Sequence, residues 1–349
     1  MSGAASRLFG VGIAGPTLDP SERAILQRHP PRAVILFKRN IESERQVTDL
    51  AAEIGALPGR PFLSIDQEGG PVDRLRDLAG PFPSFHGAAR SRLARRAGEL
   101  AAESCARVGV RLDLAPVVDR RLPGAGESVL GDRAAAEEPD RIIAAAEDFL
   151  EGLHSRGVAG CLKHFPGLGR AGRDTHRALP FLPDDEAEQD RDLAPFRALK
   201  DTAGAIMVSH AASGADRLPA SLSPEIATRL LRGEVGFEGV AFSDDLEMGA
   251  LALFGDLAER SAAAVRAGCD LVFVCSRLEE YPECVARVEA GVPALRRAEA
   301  ARRIDAFVER LRALERGAPR PGRPLEEIAA DVAALRERIA KVEDAGAGP

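Results

Sequence analysis

Short apolar runs alternate with longer amphipathic stretches along most of this chain. The compact runs are Leu8–Ala14, Ala33–Phe37, Phe62–Ile65, Val110–Val118, Val158–Leu162, Ala205–Val208, Gly239–Phe242 and Asp270–Val274. Each is short enough for a strand and continuous enough to be buried on both faces. Between them lie helix-like segments at Pro20–Arg28, Glu42–Leu57, Gly87–Val108, Pro139–Arg156, Asp184–Asp201, Pro224–Glu234 and Gly249–Ala267, followed by a long region from Leu278 onward. Start signals mark several: Ser223-Pro224-Glu225 offers a cap followed by proline, and Asp184-Asp185-Glu186 places negative charge at a helix N-terminus. Eight such alternations predict an α/β fold, a single (β/α)8 TIM-type barrel, with a doubly wound open sheet as the competitor. The polar residues favour the barrel. Lys38-Arg39, Asp66-Gln67-Glu68, Asp119, Lys163-His164, Ser209-His210 and Ser243-Asp244-Asp245 all follow apolar runs. A barrel gathers strand ends into one ring, whereas an open sheet spreads them along a line.

The only linker-like composition is Ala318-Pro319-Arg320-Pro321-Gly322-Arg323-Pro324. It divides a catalytic barrel, residues 1–317, from a C-terminal appendage, residues 318–349, whose amphipathic helix Leu325–Val342 is expected to pack on the barrel before a frayed tail. The net charge of −7, without a long basic run, argues against nucleic acid and anionic membrane as partners. No segment approaches a membrane span, and the first residues lack an apolar signal core, so a cytoplasmic protein is expected. Five scattered cysteines without a CxxC pair read as reduced, buried thiols. Nothing in the sequence calls for an oligomer, and a monomer fits it.

Candidate chemistry centres on Lys163-His164-Phe165-Pro166-Gly167-Leu168-Gly169-Arg170-Ala171-Gly172-Arg173-Asp174-Thr175-His176. In extended backbone, Asp174 and His176 fall on one face, where the carboxylate can orient the imidazole for proton transfer. In Ser243-Asp244-Asp245, one carboxylate is expected to cap the following helix, leaving the other free as nucleophile, general base or metal ligand. Asp66 could accept hydrogen bonds from paired hydroxyls, with Glu68-Gly69-Gly70 read as a turn. Arg133 alone would be a surface arginine, and His29, His86 and His154 are read as structural or exposed. A metal site built from His164, Asp174, His176, His210 and Asp244 lacks any HxH, HExxH or CxxC spacing to support it. With no GxGxxG or phosphate-binding loop, no cofactor is expected.

Taken in order, Asp66-Gln67-Glu68-Gly69-Gly70, Lys163-His164-Phe165-Pro166-Gly167, Asp174-Thr175-His176 and Ser243-Asp244-Asp245-Leu246-Glu247-Met248 resemble glycoside hydrolase family 3, in particular its single-domain β-N-acetylglucosaminidases. The resemblance spans about residues 7–300 and takes in Leu218-Pro219-Ala220-Ser221-Leu222-Ser223. It implies a (β/α)8 barrel that removes terminal β-linked N-acetylglucosamine with retention of configuration. By match to the family's motifs, Asp244 corresponds to the nucleophile, His176 to the general acid/base and Asp174 to its orienting partner. Asp66, Arg133, Lys163 and His164 correspond to residues that hold the sugar's hydroxyls. The expected substrate is a small saccharide or muropeptide from peptidoglycan recycling. Two positions depart from the family pattern: Leu168 stands where histidine is usual, and Pro71 where arginine is usual. Three competitors share the barrel: a β-glucosidase-like hydrolase, an N-acetylglucosaminide phosphorylase and a non-catalytic glycan-binding protein.

Overall fold

In the computed structural model, which describes residues 5–122, 130–171, 179–213 and 216–346, eight parallel strands follow the eight apolar runs. They are β1 (Phe9–Gly12), β2 (Ala33–Leu36), β3 (Phe62–Ile65), β4 (Leu112–Asp113), β5 (Leu162–Phe165), β6 (Ala205–Val208), β7 (Val240–Asp245) and β8 (Leu271–Val274). Parallel pairing runs in the order β4-β3-β2-β1-β8-β7-β6-β5. Backbone bonds from Asp113 N to Ala159 O (2.9 Å), just before β5, and from Val118 N, just beyond β4, to Lys163 O (2.8 Å) join the two ends of this order in parallel. The sheet therefore closes on itself as a barrel, which removes the unpaired edges an open sheet would carry.

Strand limits differ from the sequence expectation in an informative way. Lys163-His164 and Ser243-Asp244-Asp245 belong to β5 and β7 instead of following them. Hydrophobicity marks only the apolar part of a strand; pairing on both sides carries the ladder on into the polar residues at the mouth. Conversely, the run Val110–Val118 pairs regularly over only two residues, since Pro116 has no N–H to give the ladder. The Gly87–Val108 segment divides into helices Phe85–Arg90 and Ala94–Arg107, and the segment expected to begin at Gly249 becomes regular only from Leu257.

Local capping explains where several helices start. Asp19 and Glu22 form a reciprocal capping box on Pro20–Arg28, as do Asp256 and Glu259 on Leu257–Ala267. Ser223 Oγ accepts from Ile226 N, and Asp185 caps Glu186–Ala203, which ends at Gly204 with φ 72°. The C-terminal helix Leu325–Gly346 buries Leu325, Ile328, Val332, Leu335 and Ile339 at three- and four-residue spacing, in the same apolar core as the barrel. Arg323 fastens its entry with two bonds to Glu103, at 2.9 and 3.0 Å. All five cysteines are buried and unpaired, and burial raises their thiol pKa values. No helix among the described residues is long and apolar enough to cross a membrane.

The outer layer is tightest where helix Ala94–Arg107 crosses helix Pro139–Ser155. A Cβ on Gly98 would sit 2.3 Å from Phe149 O, and one on Gly152 would sit 2.3 Å from Arg95 O. Backbone is therefore touching backbone at this crossing. Replacing Gly98 by alanine forces the helices apart and should lower stability by about 1–3 kcal/mol, read as a lower urea midpoint. An unchanged midpoint would show that the crossing can widen without cost.

Candidate active site

At the C-terminal mouth of the barrel lies a cavity of about 170 Å³, walled by Asp66, Glu68, Arg133, Lys163, His164 and Asp244 above a floor that includes Leu114, Met207 and Phe273. After β3 the chain doubles back in a small hairpin, Gln67–Gly69 against Val72–Asp73. Gly69 and Gly70 make this possible: their φ values are 82° and 58°, and a Cβ on Gly69 would lie 2.1 Å from Pro83 O. The two-residue alternation of extended backbone then aims Asp66 and Glu68 into the cavity and turns Gln67 away. Arg133 arrives from the other side on the short helical turn Gly131–Arg133.

Two acids and two cations neutralise one another here. Lys163 Nζ donates to Asp66 Oδ1 at 2.7 Å and lies 2.5 Å from Glu68 Oε1. Arg133 grips Glu68 with both prongs, Nε to Oε2 at 2.8 Å and Nη2 to Oε1 at 3.0 Å. Burial alone would raise the Glu68 pKa, but Arg133 and Lys163 overcome it and hold the carboxyl far below the ordinary range. Burial would likewise lower Lys163, and Asp66 and Glu68 instead carry it above the usual lysine value. Both side chains therefore stay charged inside a site that is only partly open to water.

The tautomer of His164 follows from its neighbours. Arg133 Nη2 lies 3.2 Å from His164 Nε2, and a guanidinium can only donate, so Nε2 accepts. In the neutral imidazole the proton therefore sits on Nδ1, which donates to Asp119 Oδ2 at 2.6 Å. Asp119 also accepts from the backbone N–H of His164 (3.2 Å) and of Leu168 (2.7 Å). On β7, Asp244 Oδ1 accepts from Asp245 N at 2.8 Å. Burial acts to raise the Asp244 carboxyl, but His210 and His164 prevail and bring it below the ordinary aspartate value. Its neighbour goes the other way: burial, with Glu247 and Asp244 nearby, pushes Asp245 up to about 7. Two adjacent carboxyls are thus separated, with Asp244 the one that is anionic across the neutral range. His210 Nε2 donates to Asp245 O at 2.8 Å and steadies that strand end.

Five of the residues singled out from sequence therefore meet: Asp66, Arg133, Lys163, His164 and Asp244. Asp174 and His176 lie outside the described residues. Neither Asp244 nor Asp245 caps the next helix, contrary to expectation. Asp256 does that, and the Asp245 side chain closes a tight turn by accepting from Glu247 N at 3.1 Å. Glu68, read from sequence as part of a turn, is the centre of the charge network; its spacing of two from Asp66 at a strand end was the available signal. Asp119 was visible only as one polar strand-end residue among several, since its partners are distant in sequence. Leu168 is buried in a small apolar cluster with Val117, Leu130 and Ala171, while Pro71 is exposed on the hairpin. Among the described residues, no group of three or more His, Cys, Asp or Glu side chains is arranged to hold a metal ion.

Fixed donors, an acceptor carboxylate and a separate anionic carboxylate around one small cavity suit a polyhydroxylated ligand with one reactive carbon. Residues 14–314 match the Glycosyl hydrolase family 3 N terminal domain. The chain belongs to glycoside hydrolase family 3. It is accordingly a glycoside hydrolase, similar over 289 residues, at 39% identity, to the beta-hexosaminidase of Stenotrophomonas maltophilia K279a, covering 79% of this chain and 84% of that one. Identity to the beta-hexosaminidase of Pseudomonas aeruginosa PAO1 is also 39%, over 76% of this chain and 81% of the relative. Among solved structures, a family 3 β-N-acetylglucosaminidase from Paenibacillus sp. FPU-7 superposes with a TM-score of 0.86 at 30% identity, covering 96% of this chain and 68% of that one. NagZ from Neisseria gonorrhoeae, solved in complex with N-trifluoroacetyl-D-glucosamine, gives 0.80 at 28% identity, covering 94% and 97% of the two chains.

Replacing Glu68 by glutamine tests the charge network of this family 3 site. Because the folded-state pKa of Glu68 is depressed, its stabilising contribution is present above the ordinary glutamate value of 4.5 and disappears as pH falls through the lower folded value. The Glu68→Gln protein should be less stable than wild type at pH 7, and the gap should narrow on acidification. Melting temperatures across pH 3–7 would show this; a gap independent of pH would contradict the ionised, doubly paired state.

Proposed function

We propose that this hydrolase is a retaining, exo-acting β-N-acetylglucosaminidase working through a covalent glycosyl ester on Asp244. The observation that carries the reading is the state of Asp244: an anionic carboxylate at a strand end, on the same cavity as the Lys163–Asp66 and Arg133–His164 pairs. An anionic oxygen is what attack on an anomeric carbon requires. Asp66 accepts from a sugar hydroxyl while Lys163 and Arg133 donate, which holds the ring over Asp244.

In the first step an Asp244 oxygen bonds to the anomeric carbon as the bond to the leaving oxygen breaks, and His176, oriented by Asp174, gives that oxygen its proton. In the second step His176 takes a proton from water, the water oxygen attacks the same carbon, and the ester to Asp244 is released. Two inversions give net retention. Histidine suits both roles because its reference pKa of about 6.5 lies close to neutral pH.

N-acetylglucosamine as the sugar is supported by the beta-hexosaminidase relatives and by the glucosamine derivative bound to the gonococcal NagZ. A short substrate is supported by composition and packing. The chain has no tryptophan, and its one tyrosine, Tyr281, is buried edge-on to Phe9 and cannot serve as a platform for a polymer. We therefore read the substrate as a small cell-wall fragment of the kind released in peptidoglycan turnover, processed in the cytoplasm, with no cofactor.

Asp244→Asn should reduce turnover of a chromogenic N-acetylglucosaminide by on the order of 10⁴-fold. A fluorinated analogue that traps the glycosyl-enzyme should add its sugar mass to the peptide containing Asp244. A variant with most of its activity, or an adduct elsewhere, would refute the nucleophile. His176→Ala should slow substrates with poor leaving groups by about 10²–10⁴-fold and those with good leaving groups much less. Equal slowing of both would remove His176 from the acid role.

A further inference from the structure

Behind the barrel wall stands a buried acid that the proposed chemistry does not use. Asp113 is the last residue of β4 and fully buried. Leu114 beside it lines the cavity, so Asp113 faces outward, toward the buried Cys105 of helix Ala94–Arg107. Its Oδ1 accepts the backbone N–H of Gln67 at 2.9 Å, and its Oδ2 has no hydrogen-bond partner. Gln67 is the middle residue of Asp66-Gln67-Glu68, the one turned away from the sugar site. Its side chain is held as well: Nε2 donates to Asp73 Oδ1 at 2.8 Å, and Oε1 accepts from Leu75 N at 3.0 Å. Asp73 Oδ2 in turn accepts from Phe82 N at 2.8 Å. The turn that carries two cavity acids is thus fixed from its outer side.

We propose that Asp113 is a positioning residue of the saccharide site: a neutral carboxyl whose one oxygen pins the Gln67 amide and so sets the direction in which Asp66 and Glu68 enter the cavity. The inference rests on the reading of that cavity as the sugar site. The unpartnered oxygen is what requires neutrality. A bare anionic oxygen shut away from water is far costlier than a hydroxyl without an acceptor. The surroundings agree. Asp66 and Glu68 carry the same charge that Asp113 would acquire, Asp73 on the hairpin is a carboxyl that burial pushes up, and Lys163 on β5 is the cation facing Asp113. Cys105 on the helix and Cys161, just before β5, are thiols kept neutral by burial, and Arg111, just before β4, is paired with Glu315 at 2.7 Å. Burial dominates, and pushes Asp113 up to about 8 despite the Gln67 amide and Lys163.

The test uses the full chain with Asp113→Asn, which keeps an acceptor oxygen without a charge, and Asp113→Ala, which keeps neither. With p-nitrophenyl N-acetylglucosaminide at neutral pH, the alanine variant should raise KM about tenfold with a smaller change in kcat, and asparagine should restore KM to within roughly twofold of wild type. Melting supplies a readout that needs no substrate. A carboxyl whose folded pKa is raised favours the folded state fully below its unfolded value of 3.8 and loses that contribution as pH rises to about 8. Asparagine does not titrate, so the melting temperature of Asp113→Asn should gain on wild type from about pH 4 to 8 and hold level above. Asparagine as impaired as alanine, alanine with wild-type KM, or a melting difference that ignores pH overturns the proposal. If the alanine variant does not fold, the asparagine melting series decides alone. Wild-type turnover of the N-acetylglucosaminide reports on the proposed function, so the two readings can fail separately.

Discussion

The site depends on a carboxylate that could not be buried by itself. Glu68 is 2% exposed at its side chain, and in that position a lone charge would be expelled or protonated. Arg133 and Lys163 on either side reverse the balance, and each is in turn kept charged by it. The arrangement joins three remote pieces of chain: the hairpin after β3, the turn before helix Pro139–Ser155, and β5. Removing any one of the three leaves an uncompensated charge behind, so the pieces are fixed as a set.

The barrel makes such a set attainable. Strands paired on both sides cannot slide by one residue without turning every side chain to the wrong face, so Lys163 on β5 and Asp244 on β7 are held by the ladder itself. Helices outside keep the ladder in place; the Gly98 and Gly152 crossing and the C-terminal helix both pack on that outer layer.

Much of this was legible in the sequence because the signals are local. Eight apolar runs mark eight strands, and Lys163-His164 and Ser243-Asp244-Asp245 announce themselves by breaking such runs. Strand ends were misjudged because hydrophobicity fades before pairing does. The role of Glu68 was hidden since its two partners are 65 and 95 positions away, and only closure of the barrel brings them together. The same holds for Asp119, whose contacts with His164 and Leu168 span 45 and 49 positions. The helix cap expected from one of Asp244 and Asp245 failed for a different reason: the helix begins later, at the Asp256–Glu259 capping box.

Asp119 has a consequence of its own. One of its oxygens holds the imidazole of His164, the other the amide of Leu168, at the root of the segment that leads toward residue 176. The cavity-lining imidazole and the anchoring of the chain at Leu168 are thereby placed mechanically in series. A ligand that tilts the imidazole either breaks the bond to Asp119 or draws the carboxylate, and the loop's base, along with it. Occupancy of the pocket becomes a force applied where the loop begins.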